Sequence, residues 1–345
     1  MKAMVMAAGV GTRLRPLTHF IPKPMIPIVN KPALEHTLDL LRKHGFDEVV
    51  INLHFYPDMI RDHFGDGQRY GLKIHYSLEK TLMGTAGGVK RAEHHFNDTF
   101  VVMSGDGLTD INLSRVIEFH KKKKSLATMV LKKVDARFDY GVTLIDQYSR
   151  IEKFIEKPSW SDVFANTVNT GIYVFEPEIF DYIPKNKFYD FGHEVWPLLL
   201  TRKKPIFGYE MKSYWCDIGN LQEYKRAEKN ALEGAVKVKI PGKLRRKNIW
   251  VGSNTYIHPG VKIVGPAVIG SNCQIEKGVT INSFTTIGNN NIIEEGARLS
   301  DCILWAGVHV SKGVRLRNCV IGNQAKISEN ISVFEGSVIN IDEKK

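Results

Sequence analysis

The sequence predicts an α/β domain with a mixed, mostly parallel sheet wrapped by helices, followed by a parallel β-helix of hexapeptide repeats. Three observations carry this. Short apolar runs alternate with helical patterns over residues 1–233, aliphatic residues recur at every sixth position from residue 248 on, and a basic stretch without helix signals, residues 234–247 (GAVKVKIPGKLRRK), separates the two. The expected domains are therefore 1–233, a linker at 234–247, and 248–345. A chain of 345 residues has room for two cores, and 43% hydrophobic with 25% charged residues excludes wholesale disorder.

In the first half, strands are predicted at 3–8, 49–53, 73–78, 100–103, 127–134, 141–145, 171–175 and 206–210. Between them, Leu34, Leu38 and Leu41 share one helical face, and Gly45 stops that helix. Residues 84–96, 113–122 and 221–232 read as helices on the same grounds. In such sheets ligands bind at the carboxyl ends of the strands.

In the second half Val251, Ile257, Ile263, Ile269, Ile275, Ile281, Ile287, Ile293 and Leu299 keep a strict spacing of six. The register then shifts and resumes at Leu304, Val310 and Leu316, and again at Ile321, Ile327, Val333 and Ile339. Three hexapeptides per coil stack each aliphatic residue on its copy in the next coil, giving roughly five coils.

The net charge of +11 suits a nucleic acid, an anionic membrane or a phosphorylated small molecule. The densest basic run, Lys121 to Lys124, ends an amphipathic helix and has no interleaved aromatics, so it reads as a solvated helix end. The cysteines Cys216, Cys273, Cys302 and Cys319 show neither C-x-x-C spacing nor histidines at zinc spacing. With an N-terminal apolar stretch too short for a signal peptide and no run of 18 apolar residues, a cytoplasmic location is expected, with no membrane partner and no nucleic-acid partner.

Chemistry concentrates in a few motifs. The first strand runs into Gly9-Val10-Gly11-Thr12-Arg13, with Lys23 between Pro22 and Pro24. Glycines let backbone N–H groups approach a phosphate, and Arg13 and Lys23 add positive charge. The loop matches neither a Walker A nor a dinucleotide fingerprint. An apolar strand ends in Gly105-Asp106, where a carboxylate is placed to hold Mg²⁺, and Asp217 precedes another helix.

Together these residues resemble the sugar-1-phosphate nucleotidyltransferase family, end to end. The pattern G-x-G-T-R…P-K-P is met from Gly9 to Pro24, L-G-T-A-G by Met83 to Gly87, G-D by Gly105-Asp106, E-K-P by Glu156-Lys157-Pro158, N-x-G-I-Y by Asn169 to Tyr173, and D-I-G by Asp217 to Gly219. The resemblance implies a Rossmann-like nucleotidyltransferase domain with a left-handed β-helix behind it. It also implies in-line attack of a sugar-1-phosphate oxygen on the α-phosphorus of a nucleoside triphosphate, with Mg²⁺ as cofactor. Arg13, Lys23 and Asp106 take the catalytic roles. Ala8, Gly9, Gly11, Thr12, Glu79, Gly84 and Thr85 bind nucleotide, Gly141, Glu156, Lys157 and Asn169 bind the sugar phosphate, and Asp106 with Asp217 holds the metal. With the chain reaching Lys345, no appended mutase is expected.

The resemblance is strongest to the branch that makes GDP-mannose. Glu79 stands where the family places a base-reading side chain, and a carboxylate, which only accepts, suits the N1–H and N2–H donors of guanine better than uracil or thymine. GTP and mannose 1-phosphate are thus the expected substrates. A thymidylyl- or uridylyltransferase acting on glucose 1-phosphate and a non-catalytic regulatory subunit are the alternatives. Hexapeptide coils also occur in acyltransferases with a histidine base, but His258 and His309 lie in no such motif. The β-helix half is expected to assemble the chain into a homo-oligomer.

Overall fold

The computed structural model describes residues 1–134, 140–159, 164–246 and 248–338, arranged in two compact units. The first comprises Met1–Val10, Pro22–Pro24 and Thr37–Asp217; the second comprises Gly11–Ile21, Met25–His36 and the chain from Ile218 onward. Helix Leu221–Glu233, which lies before the boundary expected at residue 233, belongs to the second unit. Ile339 of the repeat series lies outside the described residues.

The first unit is built on a nine-stranded sheet: β1 (Lys2–Met6), β2 (Glu48–Leu53), β3 (Lys73–Leu78), β4 (Phe100–Ser104), β5 (Ala127–Lys133), β6 (Val142–Ile145), β7 (Ile151–Ile155), β8 (Thr167–Phe175) and β9 (Ile206–Glu210). The main path runs β7-β6-β8-β4-β1-β2-β3, with β5 joined to β8 and β9. Strands β4, β1, β2 and β3 are mutually parallel, whereas β8 runs antiparallel to β4 and to β5. The register of β8 against β5 breaks between Asn169 and Tyr173, and on its other edge β8 pairs with β4 over Ile172–Phe175 and with β6 through Val168 and Val142. Strand β7 escaped sequence reading because its buried positions, Ile151 and Phe154, are separated by exposed Glu152 and Lys153, an irregular alternation.

Apolar β strands covered on both faces make the core. Phe100 stacks on Phe96 and Phe180, and Phe175 stacks on Phe191 and Trp196. Helix Gly84–Arg91 is shorter than expected; a 3-10 turn, Glu93–His95, takes over its last part.

The hexapeptide half forms a parallel β-helix. Tyr256–Ile257, Gln274–Ile275, Ile292–Ile293, His309–Val310 and Lys326–Ile327 stack into one five-stranded face, and a ten-stranded sheet supplies the others. Ile269, Ile275, Ile281, Ile287, Ile293 and Leu299 are all fully buried and stack in three columns, Ile269 on Ile287, Ile275 on Ile293 and Ile281 on Leu299. Gln274 pairs with Ile292, eighteen residues on, but Ile292 pairs with His309, seventeen on. That one-residue shortening is the register shift seen after Leu299. Corner residues Asn254, Asn272 and Asn290 stack at φ 53°, 56° and 60°, the left-handed conformation that asparagine tolerates.

The expected linker contains strand Lys243–Arg246, which pairs antiparallel with Ile249–Val251 at the start of the β-helix.

Candidate active site

At the carboxyl edge of the first sheet, the end of β1 is tied to its neighbours by side chains. The Ala7 N–H donates to Asn52 Oδ1 at 2.7 Å, and Asn52 Nδ2 donates to Glu79 Oε1 at 2.7 Å. Glu79 Oε2 accepts the Met83 N–H at 3.0 Å, so one buried carboxylate links β2 to the turn that opens helix Gly84–Arg91. Gly88 is required by this arrangement: a Cβ there would lie 2.5 Å from Glu79 Oε1. Glu79, expected to read the base, thus has both oxygens engaged inside the protein.

In the following turn, Thr85 N–H and Oγ1 both donate to Asp190 Oδ1, at 2.8 and 2.9 Å, and Thr85 Oγ1 accepts the Phe191 N–H. Tyr189 O accepts from Ala86 and Gly87. Asn52 and Asp190 were missed in the sequence. An asparagine ending an apolar strand was the only signal for the first, and nothing marked the second.

The densest charge lies where β4 ends. Asp106 follows β4, and Asp217 ends the short strand Trp215–Asp217, which pairs antiparallel with Gly107–Thr109 so that Asp217 faces Gly107. This pairing brings together two acids separated by 111 positions in the sequence numbering. Lys23 Nζ is ion-paired with Asp106 and lies 3.2 Å from Asp217 Oδ1; the Ser104 hydroxyl also donates to Asp106. Burial alone would lower the Lys23 pKa, but the two carboxylates outweigh it and raise the value above that of an ordinary lysine. Burial likewise works against the Asp106 carboxylate, yet Lys23 and Ser104 hold it below the usual aspartate range. Two carboxylates meeting at Lys23 Nζ form an all-oxygen donor pair, the set that hard divalent cations such as Mg²⁺ take together with phosphate oxygens. The expected metal residues therefore fit the group.

A third cluster surrounds Glu156. Cβ atoms added at Gly141 and Gly192 would meet Glu156 Oε2 at 2.7 and 2.6 Å, so two bare backbones flank this carboxylate. Burial raises its pKa above the ordinary glutamate value, against the pull of Lys157 and His193. The Asn169 N–H donates to Gly141 O at 2.8 Å, and Asn169 Nδ2 donates to the Tyr173 hydroxyl at 2.8 Å. Gly141, Glu156 and Asn169, far apart in sequence, are thus neighbours, and exposed Lys157 follows Glu156 with φ 44°. Trp215 Nε1 donates to Thr170 O in the adjoining segment.

Gly9 is exposed after β1. Gly11, at φ 69°, starts the 3-10 turn Thr12–Leu14 in the second unit, where Thr18 Oγ1 donates to Gly11 O at 2.7 Å. Thr12 and Arg13 are exposed on that turn.

Residues 2–234 match the family model described as Nucleotidyl transferase, and residues 263–343 match the GMPPB C-terminal domain. A UTP–glucose-1-phosphate uridylyltransferase of Synechocystis is 40% identical over 303 residues, covering 78% of each chain. A mannose-1-phosphate guanylyltransferase of Mycobacterium tuberculosis is 33% identical over 270 residues, covering 77% of this chain and 74% of that one. The crystal structure of HddC from Yersinia pseudotuberculosis is 25% identical and superposes with a TM-score of 0.59 over 67% of this chain and 99% of its own; HddC has also been solved complexed with GMP-PN. With two thirds of its length matched by the family model and three charge clusters at one sheet edge, the chain belongs to the sugar-1-phosphate nucleotidyltransferases.

Proposed function

We propose that this enzyme is a mannose-1-phosphate guanylyltransferase, transferring GMP from GTP to mannose 1-phosphate and releasing pyrophosphate. The observation that carries the reading is the order of the two matched models, the nucleotidyl transferase domain at residues 2–234 followed by the GMPPB C-terminal domain at 263–343. Relatives named as mannose-1-phosphate guanylyltransferases support it. The relative that is 40% identical favours a second reading, uridylyl transfer to glucose 1-phosphate, with the same chemistry.

Catalysis in this reading is positioning and charge neutralisation. A sugar-1-phosphate oxygen attacks the α-phosphorus in line as the bond to pyrophosphate breaks, and no covalent enzyme intermediate is needed. Lys23 donates to the phosphates, and Arg13 meets the charge that develops on pyrophosphate. Asp106 and Asp217 would hold Mg²⁺, which when bound neutralises phosphate charge. Lys157 takes the phosphate of the incoming sugar, while Glu156, seated against the bare backbones of Gly141 and Gly192, and Asn169 hydrogen-bond its hydroxyls. Ala8, Gly9, Gly11, Thr12, Gly84 and Thr85 line the nucleotide.

Glu79 takes a different role from the one its chemistry suggested. Because its oxygens already accept from Asn52 and Met83, it acts on the nucleotide through the groups it holds. The preference for GTP therefore rests on the relatives. We place the reaction in the cytoplasm, consistent with four buried cysteines that form no disulfide, and assign the β-helix to homo-oligomer assembly. Among the described residues no helix is long and apolar enough to cross a membrane.

Pyrophosphate release with GTP, UTP, dTTP, ATP and CTP against mannose 1-phosphate and glucose 1-phosphate tests the proposal. Dominant turnover of GTP with mannose 1-phosphate is expected. Dominant UTP with glucose 1-phosphate would select the second reading, and no turnover in any combination would return the regulatory-subunit alternative.

A further inference from the structure

At the opposite edge of the first sheet from Asp106, the amino-terminal ends of the strands gather a group that the nucleotidyl transfer does not use. Glu48 opens β2, between Lys2 of β1 and Lys73 of β3 in the cross-strand register. His75, two residues beyond Lys73, emerges on the same face as Glu48. His95 ends the 3-10 turn Glu93–His95, its ring centroid 4.8 Å from that of His75.

We propose that Glu48, His75 and His95 form a binding site for a transition-metal ion of the Zn²⁺ class, separate from the carboxylate pair Asp106 and Asp217.

Three features carry this. The donor atoms of the three side chains all lie within 4.8 Å of one another. His75 Nε2 and Glu48 Oε1 are 3.2 Å apart, close to the roughly 3.4 Å that separates two ligands of a tetrahedral zinc ion bound at about 2.1 Å. His75 Nε2 is also buried and makes no hydrogen bond with the described residues, so a buried nitrogen faces the group with no other use. Two imidazoles and one carboxylate leave a fourth position for water, the composition of open zinc sites.

The surroundings are compatible with an ion. A cavity of about 430 Å³ is walled in part by His94 and by His95 of the group. The His94 ring lies tilted against that of His95, 4.2 Å between centroids. Lys2 Nζ lies 3.1 Å from Glu48 Oε1, but its side chain is 40% exposed and free to turn outward, and such surface pairs contribute little. Imidazole nitrogens select zinc, cobalt, nickel or copper, whereas Mg²⁺ keeps to oxygen, so the two sites sort cations by chemistry.

The test is a Co²⁺ titration of the full-length, tag-free enzyme in saturating Mg²⁺, followed by the visible d–d absorption of the bound ion and by Zn²⁺ competition. One Co²⁺ per chain with tetrahedral-type bands, displaced by Zn²⁺, is expected. His95→Ala and His75→Gln should each weaken binding roughly tenfold or more while leaving the far-UV circular dichroism and turnover with Mg²⁺ unchanged. Asp106→Asn should bind Co²⁺ as the wild type does. Unchanged affinity in both histidine variants, or loss of binding in Asp106→Asn, would overturn the proposal.

Discussion

Glu228 lies on helix Leu221–Glu233 of the second unit and is completely enclosed. Its Oε2 accepts the Val29 N–H at 2.8 Å, and its Oε1 accepts the Thr286 hydroxyl on the β-helix. Val29 and Asn30 form the tip of hairpin Pro27–Ile28/Lys31–Pro32 with φ 42° and 66°, a two-residue turn that requires positive φ at both positions and that a β-branched residue adopts at a cost. The carboxylate therefore secures a strained turn to the solenoid, but burial pushes its pKa from 4.5 up to about 7. Because the folded value lies above the unfolded one, the native state holds a proton that the unfolded chain releases between these values. Stability is full below about pH 4.5 and falls as pH rises towards 7, by about 3 kcal/mol in total, of which roughly 2.5 kcal/mol falls between pH 5 and 8. Glu228→Gln keeps an acceptor for Val29 and can donate to Thr286, but carries no charge. Urea unfolding of both proteins across this pH range isolates the residue, since every other titrating group cancels in the difference. The variant is expected to gain on the wild type by roughly 2–3 kcal/mol from pH 5 to 8. A difference that does not change with pH would refute the buried-proton argument.

Asp106→Asn should lower turnover roughly 10²–10³-fold, as expected for loss of one preorganised electrostatic group, and Arg13→Ala should fall in the same range; steady-state pyrophosphate release checks both. Glu79→Ala, which frees Asn52 and Met83 together, should lower kcat/KM for GTP and UTP by similar factors; a change confined to GTP would reinstate direct reading of guanine by the carboxylate. Ile281→Ala, within one of the buried aliphatic columns, should cost about 2–5 kcal/mol of β-helix stability by denaturant unfolding, because the stacked coils on either side cannot close the cavity.

The parts legible in the sequence are those where a repeating physical constraint writes itself along the chain. An aliphatic residue every sixth position reports a coil of three faces, and the slip after Leu299 reports a coil one residue shorter, which the pairing of Ile292 with His309 makes concrete. Motif residues were legible as well, because Asp106 carries charge where an apolar strand stops and Lys23 stands between two prolines. Pairings between distant segments were not. Nothing in the order of residues says that Trp215–Asp217 lies beside Gly107–Thr109, or that Gly192 backs Glu156, since these are registers between separate elements. Glu79 shows the limit most clearly. Its side-chain chemistry was read correctly as accept-only, but what it accepts from is set by the ends of β2 and of the turn at Met83. An acceptor already satisfied inside the protein is a scaffold for recognition, so the donors it orients carry the next test of base choice.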